Sequence, residues 1–136
     1  MDANTIHRLE QHGIRASAQR TAIAEWVLST ESHPSADRVW TEVKKTLPMV
    51  SRATVYNTLR LFVEKGLLRE LVLAPGFVVY DPKMEPHHHF IEDESGAIHD
   101  LPWGSIGVHR VHEIEGYDVR EYSVVLRGKK RPGRRR

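Results

Sequence analysis

Apolar residues recur at helical spacing through the first half of the chain. Residues 5–12 and residues 18–29 both carry this spacing, which predicts two helices. Ser35 and Ser51 belong to a residue type that caps helix N-termini, so a third and a fourth helix are expected after them. The fourth is the stretch SRATVYNTLRLFVEKG, which ends at a glycine. The pattern therefore predicts four helices before residue 67.

Two β-rich runs, LLRELVL and FVVYD, follow the fourth helix and are joined by Ala74, Pro75 and Gly76. Pro followed by Gly is the pair expected in a type II turn, so the runs form a hairpin. Helices followed by a hairpin predict a winged-helix domain over residues 1–82, which places the fourth helix in the DNA major groove. Polar side chains on that helix are candidates for DNA contact: Arg52, Thr54, Tyr56, Asn57 and Arg60.

Short strands dominate the pattern after Pro82. A second hairpin is expected over residues 87–101, a helix over residues 104–114, and a long strand over residues 117–127. A unit spanning residues 83–128 is too small to cover its own sheet, so a second copy of the chain is expected to cover it. The predicted fold class is α+β, with a winged helix followed by a small α/β dimerisation domain.

Charge is distributed unevenly along the chain. Residues 1–82 carry ten basic and nine acidic groups, residues 83–126 carry three and nine, and residues 127–136 carry seven basic groups. The basic tail at residues 129–136 suits a polyanion or a disordered solubilising end. The absence of cysteine excludes disulfides, zinc ribbons and thiol catalysis. No apolar run suits a membrane span, and a cytoplasmic location is expected.

Histidines and carboxylates concentrate in EPHHHFIEDESGAIHD, residues 85–100. Side chains alternate along a strand, so His87 and His89 share one face and His88 lies on the other. Asp81 and Asp100 end neighbouring strands and could join the two imidazoles. Nitrogen and carboxylate ligands without sulfur suit Fe²⁺, Mn²⁺, Co²⁺ or Zn²⁺.

Other interpretations of this region stay open. The hairpin could be a polar surface element, and His109 and His112 could bind a second ion or be solvated helix residues. A small cupin-like metal oxygenase could use the His-x-His pair with Glu94, although no third histidine follows at suitable range. A DNA-bending structural protein is a further alternative if metal proves irrelevant.

Three motifs carry a resemblance to a known family. The segments SRATVYNTLRLFVEKGLL, SHPSAD and FVVYD, the last followed by HHH and a later Asp, resemble the ferric uptake regulator (Fur) superfamily of bacterial metal-dependent repressors. The resemblance spans residues 14–128 and implies a homodimer in which each chain has a winged-helix DNA-binding domain and an α/β dimerisation domain. A twofold-symmetric protein matches a palindromic DNA operator. The resemblance also implies a regulatory Fe²⁺ or Mn²⁺ between two domains, with these ligands by motif position: His33, Asp81, His87, His89 and Asp100.

The implied fifth ligand, His33, lies in the DNA-binding half. A metal that bridges His33 to the second domain would fix the angle between the domains, and with it the spacing of two recognition helices. Arg20, at the start of the second helix, is expected to bind the DNA backbone.

The chain departs from the family pattern at two metal sites. Most members hold a structural zinc with two Cys-x-x-Cys pairs, and the first pair falls here at Glu92 and Ser95. No cysteine-bound structural zinc is therefore expected. A second ion site is also degraded, which leaves His88 without ligating partners at three aligned positions: Pro86, Gly107 and Tyr122.

The last ligand indicates which branch of the family the chain resembles. Asp100, where other members have Glu, resembles the peroxide-responsive (PerR) branch, in which bound Fe²⁺ reacts with H₂O₂ and a ligand histidine is oxidised. The susceptible residues here would be His33 and His87. The HHH run, the missing cysteines and the ending EGYDVREYSVVLRGKK also resemble the haem-related iron response regulators (Irr), but a Cys-Pro haem motif is absent. Peroxide sensing is favoured, with iron-status sensing as the alternative and no enzymatic activity expected.

Overall fold

The computed structural model describes residues 2–133. The chain divides into two compact units between Met84 and Glu85, close to the boundary expected after Pro82. Among the described residues, no helix has the length and hydrophobicity to cross a lipid bilayer. The expected basic tail has no regular secondary structure over residues 129–133, and residues 134–136 lie outside the described part of the chain.

The first unit contains four helices followed by a hairpin. Its elements are α1 (Ala3–Gln11), α2 (Ala18–Val27), α3 (Ala36–Val43), α4 (Arg52–Glu64), β1 (Arg69–Ala74) and β2 (Phe77–Asp81). β1 and β2 are antiparallel, and Gly76 in the turn between them has φ +74°, as the second central residue of a type II turn requires. This order of elements is the predicted winged helix.

Serine caps and one apolar core hold these helices. Ser17, Ser35 and Ser51 each accept a hydrogen bond from a backbone N–H three residues further on, at the start of α2, α3 and α4. The two predicted caps, at Ser35 and Ser51, are confirmed. The helices pack through side chains that are fully buried: Leu9, Ile23, Val27, Val39, Val55, Leu59 and Phe62.

The second unit is built on a three-stranded sheet. Its strands are β3 (His87–Glu92), β4 (Ile98–Pro102) and β5 (Val125–Gly128), in the order β4-β3-β5. β3 and β4 form the predicted antiparallel hairpin. β5 pairs with β3 in parallel, a pairing that the sequence pattern did not indicate.

Two sequence-based expectations for the second unit are wrong. The expected helix over residues 104–114 is replaced by two single 3-10 turns, Trp103–Ser105 and Val111–Glu113. Gly104 and Gly107 weaken helix formation there, and Arg110 adopts a left-handed φ of +66° that a helix does not allow. The long strand expected over residues 117–127 is restricted to β5, because residues 117–124 have no paired strand within the described chain.

Candidate metal centre and DNA-facing surface

The first unit brings one imidazole and one carboxylate into contact. His33 lies directly before Pro34 with φ +52°, a left-handed conformation that non-glycine residues rarely adopt. The Tyr80 N–H donates to the Pro34 carbonyl oxygen at 2.9 Å and ties β2 to this loop. As a result, His33 Nε2 lies 3.3 Å from Oδ2 of Asp81, and both side chains are about 95% buried.

The second unit brings together two imidazoles and one carboxylate. His87 and His89 lie on the same face of β3, with ring centroids 4.5 Å apart, as strand alternation predicts. Asp100 on β4 is the register partner of His89. The Nε2 atoms of both histidines are each 3.5 Å from the same Oδ1 of Asp100.

The tautomer of His87 indicates that this set suits a cation. His87 Nδ1 is 2.6 Å from the Glu85 carbonyl oxygen, which can only accept, so Nδ1 carries the proton and donates. In a neutral ring, Nε2 then holds a lone pair that faces the carboxylate of Asp100. This contact is repulsive until a proton or a metal ion lies between the two atoms. In metal-binding histidines, the ring nitrogen that does not bind the metal usually donates a hydrogen bond to a group such as a backbone carbonyl.

The five predicted ligands therefore fall into two sets, each assembled within its own unit. His33 and Asp81 form one, and His87, His89 and Asp100 form the other. Each set offers imidazole nitrogen and carboxylate oxygen without sulfur, a donor chemistry that fits Fe²⁺, Mn²⁺ or Zn²⁺.

His88 has a structural role that the sequence did not reveal. Its side chain is fully buried on the opposite face of β3, and its ring stacks on Trp103 with centroids 4.5 Å apart. Nδ1 accepts a hydrogen bond from the Val124 N–H at 3.0 Å, and Nε2 donates to the Trp103 carbonyl oxygen at 3.2 Å. Both ring nitrogens are used, so His88 has no lone pair left for a second ion.

The other histidines of the second unit are dispersed. His99 contacts the carboxylate of Glu92. His109 and His112 are exposed, and the His112 ring faces Tyr122 at 6.1 Å between centroids.

The predicted DNA-contact residues lie on α4 and at the start of α2, and they form two groups. Thr54, Asn57 and Arg60 line a cleft shared with the start of α2, where Arg20 also lies. One guanidinium nitrogen of Arg20 donates to the Arg15 carbonyl oxygen at 3.0 Å. These four predicted residues share one polar cleft, which is a suitable arrangement for DNA.

The two remaining predicted residues, Arg52 and Tyr56, meet an acidic residue on α3. Arg52 Nε donates to Asp37 Oδ1 at 2.8 Å, and the Tyr56 hydroxyl donates to the same oxygen at 3.0 Å. The hydrogen bond from Arg52 lowers the pKa of Asp37, and the one from Tyr56 adds to the shift. Burial raises the pKa of Tyr56, with a further contribution from Asp37. The sequence did not reveal these contacts with α3, because Arg52 is 15 positions and Tyr56 is 19 positions after Asp37, and no local spacing rule pairs residues that far apart.

Comparisons with known proteins identify relatives that match nearly the whole chain. The model of the ferric uptake regulator family matches residues 11–126. A peroxide-responsive repressor PerR from Staphylococcus aureus strain Mu50 is 30% identical over 126 residues, which cover 91% of this chain and 85% of the relative.

Two solved structures have a similar fold. A zinc-bound manganese uptake regulator superposes with a TM-score of 0.73 at 25% identity, covering 93% of this chain and 98% of the other. The peroxide stress regulator of Campylobacter jejuni superposes with a TM-score of 0.68 at 27% identity, covering 97% and 98%.

Proposed function

The chain belongs to the ferric uptake regulator family, and on this premise we propose that it is a metal-dependent transcriptional repressor that binds DNA as a homodimer. The family consists of regulators rather than enzymes, so the oxygenase alternative has no support. The observation that carries the proposal is the set formed by His87, His89 and Asp100, in which two Nε2 atoms converge on one carboxylate oxygen.

The regulatory ion is proposed to bind all five residues of the two sets. Fe²⁺ or Mn²⁺ is the expected ion in the cell, and Zn²⁺ can occupy nitrogen and oxygen ligands of this kind in vitro. Support comes from the two ligands that the first unit assembles and the three that the second assembles, because little rearrangement within a unit is then needed. An ion that shares ligands from both units would restrict the segment between Asp81 and His87.

Metal dependence of DNA binding follows from that restriction. In a homodimer, two recognition helices have to fit two half-sites of a palindromic operator at the same time. Fixing each winged helix relative to the dimerisation unit sets the spacing between the α4 helices. Without the ion, only one half-site at a time would be bound well. The gain in affinity from binding both half-sites together would then be lost.

Peroxide sensing is the signal that we favour, because Asp100 suits the peroxide-responsive branch and two of the matched relatives are named as peroxide regulators. Bound iron(II) would supply the one-electron chemistry that cleaves the O–O bond of H₂O₂. The ring of His33 or His87 would gain one peroxide oxygen in place of the hydrogen on a ring carbon, and that hydrogen would leave with the second oxygen as water. The oxidised ring binds metal poorly, so DNA is released. Iron-status sensing without this chemistry is the second candidate, which the HHH run and missing cysteines favour.

One experiment tests both the metal switch and the signal. Duplexes are selected from a random library with the Mn²⁺-loaded protein, and their affinity is measured with Fe²⁺, with Mn²⁺ and with chelator. H₂O₂ is then added, and the masses of the intact protein and of its proteolytic peptides are measured by mass spectrometry. Binding that is indifferent to metal contradicts the repressor mechanism.

The peptide masses separate the two signals. Addition of one oxygen to the His33 or His87 peptide with Fe²⁺ only, together with DNA release, supports peroxide sensing. The His99 peptide is an internal control and should stay unmodified. Release on iron removal, with neither oxygen addition nor DNA release when H₂O₂ is present, supports iron-status sensing instead.

A further inference from the structure

Asp37 joins α3 to the two residues at the tip of α4. Its Oδ1 accepts from Arg52 Nε at 2.8 Å and from the Tyr56 hydroxyl at 3.0 Å. Arg52 also donates from Nη2 to the Tyr56 hydroxyl oxygen at 2.9 Å, and its guanidinium lies 4.5 Å from the centre of the Tyr56 ring. The three side chains therefore form a closed ring in which each contacts both others.

Folding does not account for this ring. The side chains of Arg52 and Asp37 are 56% and 60% exposed, and ion pairs between exposed groups contribute little to stability. Arg38 on α3 and Lys45 just after it illustrate the ordinary case, because both pair with Glu42 of α3 and connect no second helix or strand. The Asp37 pair differs in that it spans two helices and engages two predicted DNA contacts.

Charge makes the position of Asp37 unfavourable for simple attraction to DNA. A carboxylate beside the N-terminal half of α4 repels phosphates and neutralises part of the charge of Arg52. The same carboxylate restricts Arg52 and Tyr56 to one arrangement, and a guanidinium fixed in one plane loses less entropy when it binds a base edge. Asp37 therefore weakens general attraction and favours a defined contact.

We propose that Asp37 is a positioning residue for DNA selectivity, which orients Arg52 and Tyr56 for the operator and disfavours unrelated sequences. Because it deepens the proposed function, this role depends on metal-loaded protein binding DNA at all. The partner is double-stranded DNA in the major groove, where Arg52 and Tyr56 contact a base edge or a thymine methyl group.

The test compares two carboxylates of α3 that have different partners. Asp37→Asn removes one negative charge and the ion pair with Arg52. Glu42→Gln also removes one negative charge, but its partners are Arg38 and Lys45, which lie outside the ring. Affinities of the Mn²⁺-loaded full chain are measured for a duplex selected from a random library by the wild type and for an unrelated duplex of equal length. Both variants are first checked for wild-type thermal unfolding.

The ratio of the two affinities is the deciding quantity. Glu42→Gln should raise the affinity for both duplexes by a similar factor and leave their ratio unchanged. Asp37→Asn should lower the ratio by about fivefold or more, the smallest effect expected for loss of one good base contact. Asp37→Glu, which keeps the carboxylate, should recover part of the ratio.

An unchanged or increased ratio for Asp37→Asn overturns the positioning role while leaving the repressor function intact. A wild-type protein that selects no duplex with Mn²⁺ or Fe²⁺ overturns the repressor function, and the role of Asp37 with it. A separate measurement needs no DNA: exchange of the Arg52 Nε–H with solvent, followed by NMR, should be faster in Asp37→Asn than in the wild type. Equal exchange rates contradict the positioning role.

Discussion

The imidazole rings of His87 and His89 lie 4.5 Å apart on one face of β3, and both Nε2 atoms approach a single oxygen of Asp100. Replacing His89 with Ala should lower the affinity for Mn²⁺ by about 100-fold or more, since even outer-shell partners of metal ligands contribute 10–100-fold. Titration calorimetry of the full chain measures this. His109→Ala is the matched control, because His109 is exposed and belongs to neither ligand set. Wild-type affinity in His89→Ala would contradict the assignment.

The left-handed backbone of His33 predicts an unusual order of stabilities. At most positions Ala is more stable than Gly, but the left-handed region costs a side chain with a Cβ about 1–2 kcal/mol. We therefore expect His33→Gly to have a higher free energy of unfolding than His33→Ala, as measured by chemical denaturation without metal. Both variants lose the same imidazole, so the comparison isolates the backbone at φ +52°. A more stable Ala variant would show that the loop relaxes.

Strand alternation predicted the placement of His87 and His89, because side-chain direction on a strand follows from the chain itself. The contact between His33 and Asp81 could not be worked out in this way, since it depends on a loop held by the Tyr80 N–H. It entered only through the family resemblance. The role of His88 was missed for a similar reason: Val124, its hydrogen-bond donor, is 36 residues away.

Local patterns failed where tertiary pairing decides the structure. The β-rich residues 117–124 have the composition of a strand and yet remain irregular, whereas β5 forms because it finds β3 as a parallel partner. The helices of the first unit were predicted better because their caps at Ser35 and Ser51 and their apolar spacing are encoded locally.

His88 should stabilise the second unit without taking part in metal binding. His88→Ala leaves the Val124 N–H without its acceptor, which costs about 1–3 kcal/mol, and removes the stacking on Trp103. Chemical denaturation of the full chain in chelator should show that loss. The number of Mn²⁺ ions bound per chain should stay at the wild-type value. A reduced number of bound ions would instead identify His88 as a ligand.

The pKa of Asp37 should report its ring directly. Arg52 is the largest cause of the lowered pKa and Tyr56 the next, so Arg52→Gln should raise the pKa of Asp37 towards its ordinary 3.8 more than Tyr56→Phe does. NMR titration of the Asp37 carboxyl measures both shifts. A carboxyl with a lowered folded-state pKa contributes stability above its unfolded pKa and loses it as pH falls through the folded value. The ring should therefore be intact at neutral pH and should open only as the pH falls through the lowered pKa of Asp37, which is below 3.8. A larger shift in Tyr56→Phe would reverse the assigned order of causes.

The salt dependence of DNA affinity should show whether the arginines of the cleft contact phosphates. Each phosphate neutralised on duplex DNA contributes about −0.9 to the slope of log K against log salt. Arg60 lines the cleft that Arg20 shares, so Arg60→Gln and Arg20→Gln should each reduce the steepness of the slope by about one unit for any duplex. Arg38→Gln is the control, because Arg38 pairs with Glu42 on α3 and lines no part of that cleft. Affinities of the Mn²⁺-loaded protein over a series of salt concentrations give the slopes. Slopes that are equal in all three variants and the wild type would place the phosphate backbone away from this cleft.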